Sequence, residues 1–144
     1  IEFIESRWAD LAEYESEYPD NGDGYGSMLN IARAYSQTGN EASFNDAMAR
    51  VRAAHDRAIA QNIADPFFWV QDARYYVMAG DSGKAMDLLE QAIDEGMFFP
   101  VKFTSVWREM EVIAGDPRFE DAQARSLERA NIERMKLDLE PMTI

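Results

Sequence analysis

The sequence has 144 residues and a formal net charge of −13, with 14 Lys and Arg against 27 Asp and Glu. So acidic a surface disfavours nucleic acid as a partner and disfavours direct binding to an anionic membrane, since both depend on basic residues. Cysteine is absent, which excludes disulfides, thiolate metal sites and a cysteine nucleophile in these residues.

Helical periodicity dominates the chain, and no segment shows the alternation of a strand. Seven helices are predicted, at residues 2–17, 25–38, 41–62, 66–79, 82–95, 101–114 and 117–137. Because the chain begins at Ile1 rather than Met, we expect it to be a piece of a longer protein whose remaining part lies on the N-terminal side.

Helix-capping residues stand at the predicted boundaries. Asp65 and Asp116 each precede a proline, which predicts an N-cap followed by Pro at the first helical position. Ser82 is expected to cap the fifth helix, and Ser43 is expected to cap the third together with Asp46. Glycines are expected where helices end, at Gly39, Gly80, Gly96 and Gly115.

An internal repeat organises these helices. Residues 32–40 and 73–81 share Ala, Arg, Tyr and Gly at an offset of 41, whereas the helices that follow match at an offset of 34, Ala58-Ile59 with Ala92-Ile93. The seven-residue difference is two helical turns, an insertion that keeps the buried face in phase. The helix at 41–62 is therefore predicted to be a lengthened second helix.

Within residues 66–99 the spacing resembles a tetratricopeptide repeat (TPR). The residues that carry this resemblance are Trp69, Ala73, Tyr76, Gly80, Ala85, Leu89 and Ala92. The resemblance implies an all-α fold, in which antiparallel helix pairs stack as a short right-handed superhelix. One domain, 1–144, is expected, with a partial unit at 1–24, units at 25–65 and 66–99, and a degenerate capping unit at 100–144.

The C-terminal residues extend this resemblance. Residues 115–141 resemble the closing helix of certain bacterial proteins in which such repeats follow an N-terminal regulatory module. The resemblance implies protein–protein interaction or self-assembly rather than chemistry.

In TPR stacks the first helix of each pair lines a concave groove. The resemblance places these residues there: Arg33, Arg74, Leu29, Val70, Val77, Met78 and Gln37. Arginine binds carboxylates bidentately, which suits an acidic or C-terminal peptide. An Arg paired with an acid on the neighbouring helix is the alternative, and the sequence leaves both open. The Lys-plus-Asn clamp of repeats that bind chaperone tails is absent.

Other candidate sites have ordinary structural explanations. Residues 19–24 resemble part of a calcium loop, but the carboxylates needed at its first and last positions are missing, which favours an acidic turn. His55 is interpreted as a surface or half-buried helix residue. Glu109 and Glu111 stand two apart on a predicted helix, which favours a solvated face over a catalytic pair. In Phe67-Phe68 one ring is expected to be exposed or packed under a loop.

The sequence therefore predicts a non-enzymatic module that binds a protein or peptide partner, with no cofactor and no metal. A homodimerisation stack with no external ligand is the alternative. A cytoplasmic location is favoured, with the extracytoplasmic side of a bacterial inner membrane as the other option.

Overall fold

The computed structural model describes residues 25–62, 65–98 and 102–143, and its chain divides into two compact units, Ile1–Ile63 and Ala64–Ile144. These described residues form helices and turns without a strand, which confirms the all-α prediction. The predicted helix 2–17 and the acidic turn 19–24 lie outside them.

In the first unit, helices α1 (Tyr25–Gln37) and α2 (Glu41–Ala60) pack as an antiparallel hairpin. Buried side chains of α2 recur at helical spacing, at Ala47, Met48, Val51 and His55. The helix runs unbroken through Val51, and its 20 residues exceed the 13 of the corresponding helix in the second unit. The prediction of a second helix lengthened by two turns, roughly 10 Å, is thus confirmed.

The described residues of the second unit form four α-helices and a 3-10 helix: α3 (Pro66–Met78), α4 (Ser82–Asp94), α5 (Phe103–Val106), the 3-10 helix Arg108–Val112, and α6 (Pro117–Lys136). Helices α3 and α4 pack against each other as a second hairpin. Ala73 and Ala85 have no exposed surface and belong to one apolar cluster. Their small side chains allow the helices to approach closely, as the repeat pattern predicts.

The prediction of a continuous helix at residues 101–114 is wrong. Helix α5 ends at Val106, the backbone of Trp107 is extended, and only a 3-10 helix follows. Two predicted caps are also wrong. Asn40 rather than Ser43 caps α2 by accepting from the Ser43 N–H, and Asp81 rather than Ser82 caps α4 by accepting from the Lys84 N–H. Asp65 and Asp116 cap α3 and α6 as predicted.

The turns that follow α1, α3 and α4 repeat one hydrogen-bond pattern around a glycine in the left-handed region: Gly39, Gly80 and Gly96. After α3, the Gly80 N–H donates to the Val77 carbonyl and the Asp81 N–H donates to the Tyr76 carbonyl. This is a Schellman motif, and Asp81, which closes it, also caps α4. Asn40 has both roles in the first unit.

The contrast between Gly80 and Gly83 gives a test of this turn. Gly80 has φ +84° and open space where a Cβ would stand, whereas Gly83 lies within α4, where a Cβ would meet only ordinary contact with Asp81. Gly80→Ala should destabilise by about 1–2 kcal/mol because an L-residue is strained at this φ. Gly83→Ala should stabilise by about 0.4–1 kcal/mol through the unfolded chain. Urea unfolding measures both, and equal effects would contradict the turn geometry.

Candidate interaction surface

Arg74, one of the two repeated arginines, is almost completely buried, with 2% of its surface exposed. It lies on α3 one turn after Gln71, on a helix buried over most of its circumference. Its Nε donates to Glu109 Oε1, and its Nη1 donates to Gln71 Oε1 at 2.7 Å. The guanidinium carbon lies 5.4 Å from the centroid of the Trp107 ring. A buried charge of this kind is tolerated because it is paired and hydrogen-bonded.

The break at Trp107 explains how the 3-10 helix supplies Glu109. In a continuous α-helix, Trp107 and Glu109 would point to nearly opposite sides, since residues two apart are about 200° apart. The extended backbone at Trp107, with φ −123° and ψ 91°, allows both side chains to reach Arg74. Trp107 lies four residues after Phe103, on the same helix face, and its ring stacks on Phe103 with 6.3 Å between centroids. Glu109 is therefore 8% exposed and is not part of a solvated face.

The residues predicted to line a groove have unequal exposure. Arg74 is paired with an acid from a neighbouring element, which is the alternative that the sequence leaves open. Four of the predicted groove residues are buried: Leu29, Val70, Val77 and Arg74. Arg33 and Met78 are half-buried, and Gln37 is exposed. The ligand groove stays a prediction, and Arg74 contributes its donors to the core.

The structure also locates the aromatic pair and the histidine that the sequence singles out. Phe67 is exposed and Phe68 is buried, which confirms that the two adjacent rings separate. His55 is buried rather than at the surface. Within the described ranges no group of three or more His, Cys, Asp or Glu side chains is arranged to hold a metal. No helix in those ranges combines the length and hydropathy needed to span a bilayer.

Charged side chains connect α4 to α6. Arg118 donates to Asp87 at 2.8 Å and also binds Glu90, and Arg125 donates to Asp94 at 2.6 Å. The hydrogen bond from Arg118 is the largest cause that lowers the pKa of Glu90, and it outweighs the opposing effect of burial. Arg129 donates to the Asp94 carbonyl, one of the carbonyls left over at the end of α4. These contacts continue along α6 up to its last two turns.

Beyond those contacts, large apolar side chains stay exposed near the end of α6. We name these residues the C-terminal patch: Ile132 at 42% exposed, Met135 at 56%, Leu137 at 70% and Leu139 at 46%. The buried residues of α6 are Phe119, Ala122, Ser126 and Ala130. At 100° per residue, Met135 points away from this buried stripe and Ile132 lies to its side. The patch is therefore presented outward from the core of the unit.

The tail after α6 folds back onto the helix. Asp138 adopts a left-handed φ of 55°, and the Leu139 N–H donates to the Arg134 carbonyl, so that the chain reverses in another Schellman motif. Arg134 Nε then donates to the Glu140 carbonyl at 2.7 Å. Asn131 binds Met142 twice, donating to its carbonyl at 3.0 Å and accepting from its N–H at 2.7 Å.

Sequence reasoning did not identify Asn131, Glu109 or the C-terminal patch. Asn131 carried a weak signal, because asparagine is a poor residue for a helix interior and tends to bind backbone groups. Glu109 carried no such signal in the sequence, since its burial depends on the break at Trp107. The signal for the patch was the apolar run of Ile132, Met135, Leu137 and Leu139 at a helix end.

Comparison with known proteins adds no relative: no family model, curated protein or solved structure matches this chain. The likeness to tetratricopeptide repeats accordingly depends on the residues of 66–99 and stays a prediction.

The Arg74–Glu109 pair can be tested with a matched pair of substitutions. Glu109→Ala leaves the buried guanidinium without its carboxylate and should destabilise by about 3–5 kcal/mol. Glu111→Ala, two residues on, removes an exposed partner of Arg108 and should cost less than about 1 kcal/mol. Urea unfolding of the two variants measures this. A similar loss of unfolding free energy in both variants would show that the Arg74–Glu109 pair does not hold the 3-10 helix in place.

The pairing of Glu90 with Arg118 predicts a pH dependence. Because the folded-state pKa of Glu90 lies below its ordinary value of 4.5, ionised Glu90 stabilises the fold above that pH, and this contribution is lost as the pH falls through the folded pKa. The melting-temperature difference between the unsubstituted chain and Glu90→Gln should be positive at pH 7 and should vanish in acid. Glu128→Gln, which changes an exposed carboxylate on α6, is the control. A difference that does not change with pH would contradict the pairing.

Proposed function

We propose that this chain is a non-catalytic protein–protein interaction module, the C-terminal scaffold or regulatory part of a larger protein. The observation that carries the proposal is the C-terminal patch. Its four apolar side chains lie within eight residues and are each at least 42% exposed. Clustered exposed apolar residues with polar neighbours mark interaction surfaces in soluble proteins, whereas scattered ones do not.

The setting of the patch supports this proposal. Arg118, Arg125 and Arg129 tie α6 to α4 ahead of the patch, so the helix that carries the patch is anchored before any partner arrives. A surface fixed in advance loses less conformational freedom on binding, which favours affinity. Tyr, Trp, Met and Arg are enriched in interface cores, and Met135 is the member of the patch that belongs to this group.

A role in chemistry has less support from the same contacts. The most unusual polar group, Arg74, has donors bound by Glu109 and Gln71 and a face covered by Trp107. A guanidinium used in this way connects α3 to the 3-10 helix. These contacts give the charge of Arg74 a role in core packing and no role towards a substrate.

The partner is a protein or peptide, and the C-terminal patch is its proposed contact. The predicted groove is a second contact, in which Arg33 and Gln37 of α1 keep exposed surface. A second copy of the chain is the alternative occupant of the patch, since exposed apolar faces also form homodimers.

Affinity capture with three forms of the chain tests this function. The double variant Ile132→Ser with Met135→Ser removes apolar area from the patch, while both sites are exposed and stability should change by less than about 0.5 kcal/mol per site. Val112→Ser, at a position 71% exposed on the 3-10 helix, is the matched control. A partner should be enriched by the unsubstituted chain and by the control, and lost at least about tenfold with the double variant. Equal recovery on all three forms would remove the patch as the binding surface.

Arg33→Ala belongs in the same experiment. If the groove contributes, this variant should also lose the partner, and its melting temperature should be close to that of the unsubstituted chain. A lowered melting temperature with full recovery of the partner would assign Arg33 to the fold instead.

A further inference from the structure

The hydrogen bonds that hold the tail on α6 have the form of peptide recognition. A primary amide side chain offers a carbonyl acceptor and an NH₂ donor, the same pair of groups that a peptide presents to its neighbour in a sheet. Asn131 uses both groups on one residue, the N–H and the carbonyl of Met142. The tail backbone is thereby bound as it would be by an adjacent strand.

Arg134 extends this contact by one turn. Asn131 and Arg134 are three residues apart and therefore share one face of the helix. Their partners, Met142 and Glu140, are two residues apart, so in an extended segment they direct their backbone groups to the same side. Pro141 stands between them, fixes its own φ and biases Glu140 towards an extended conformation. The spacing of the two side chains thus matches an extended backbone that runs antiparallel to α6.

These three hydrogen bonds reach main-chain atoms of the tail. They do not depend on the identity of its side chains, so any extended segment can supply the same groups. The tail also buries little of its own surface: Met142 is half-buried, and Leu139, Glu140, Pro141 and Thr143 are exposed. A segment held by a few part-exposed hydrogen bonds, with little apolar burial, opens more readily than the core.

We propose that Asn131 and Arg134 form a peptide-binding site on α6 that the chain's own residues 139–143 occupy as an internal ligand. The external ligand is an extended, proline-containing segment of a partner protein that displaces this tail. Met135 lies one turn after Asn131 on the outer side of the helix, so a partner segment longer than the tail would also contact Met135 of the C-terminal patch. This inference rests on the proposed function and names the form of its ligand.

The test uses the full chain and a fluorescent peptide with the sequence of residues 137–143. Met142→Pro removes the N–H that binds Asn131 and should release the tail. Since a tethered tail competes at an effective concentration on the order of millimolar, the peptide should bind this variant at least about tenfold more tightly than it binds the unsubstituted chain. Fluorescence anisotropy measures both affinities.

Two further variants identify the contact. Met142→Ala retains the N–H and should bind the peptide as weakly as the unsubstituted chain does. Asn131→Leu, added to Met142→Pro, removes both amide groups and should abolish the gain. Failure of the peptide to bind the Met142→Pro chain, or equal binding with Asn131→Leu, would overturn the site and reduce the tail to a helix cap.

Failure of this inference can be distinguished from failure of the proposed function. A partner captured through Ile132 and Met135, together with a peptide that does not bind, would retain the interaction module and reject the displaceable tail. Peptide binding that requires Asn131 supports the tail site whether or not a second copy supplies the segment. Sedimentation of the unsubstituted chain, whose tail keeps the Met142 N–H, separates a second copy from a different partner as the source of the segment, because exchange of tails between copies predicts a dimer.

Discussion

A guanidinium with 2% of its surface exposed needs a carboxylate close by, and in the second unit the segment between Phe103 and Val112 meets this requirement for Arg74. The carboxylate comes from Glu109, which reaches Arg74 only because the helix stops at Trp107. The ring of Trp107 then covers the guanidinium and stacks on Phe103. The stretch from Phe103 to Val112 thus forms no continuous α-helix, and its Glu109 neutralises the buried arginine of α3.

The segment from Phe103 to Val112 also helps to position α6. The Phe103 N–H, at the start of α5, donates to Gln123 on α6, and Phe103 contacts Phe119 edge-on. On another face of the helix, Arg118 and Arg125 bind the carboxylates of α4. Helix α6 is therefore held from two directions over its first half. Its last turns, which carry the patch and the tail, are supported by α6 itself and by the tail's own hydrogen bonds.

The sequence was sufficient for those features that depend on local chemistry. Period, turn glycines and Asp-Pro caps identified α1 to α4 and α6 within a residue or two, and the offset between repeats identified the longer α2. It failed where a contact between distant residues overrides the local preference. The helical pattern of 101–114 gave no sign that Glu109 would pair with Arg74, 35 positions earlier. Nor could periodicity show that equivalent arginines, Arg33 and Arg74, differ in burial, because neighbouring elements decide that.

The turns of the two helix pairs have a consequence for how such a chain can change in length. Asn40 and Asp81 each complete the end of one helix and cap the start of the next, so one residue of each turn has both roles. Adding a residue there would separate the two roles and leave backbone groups unsatisfied at a helix end. Length can be added inside a helix instead, where whole turns leave the buried stripe in phase. The 20 residues of α2 against the 13 of α4 are what that restriction predicts: growth in steps of whole turns, between junctions of constant size.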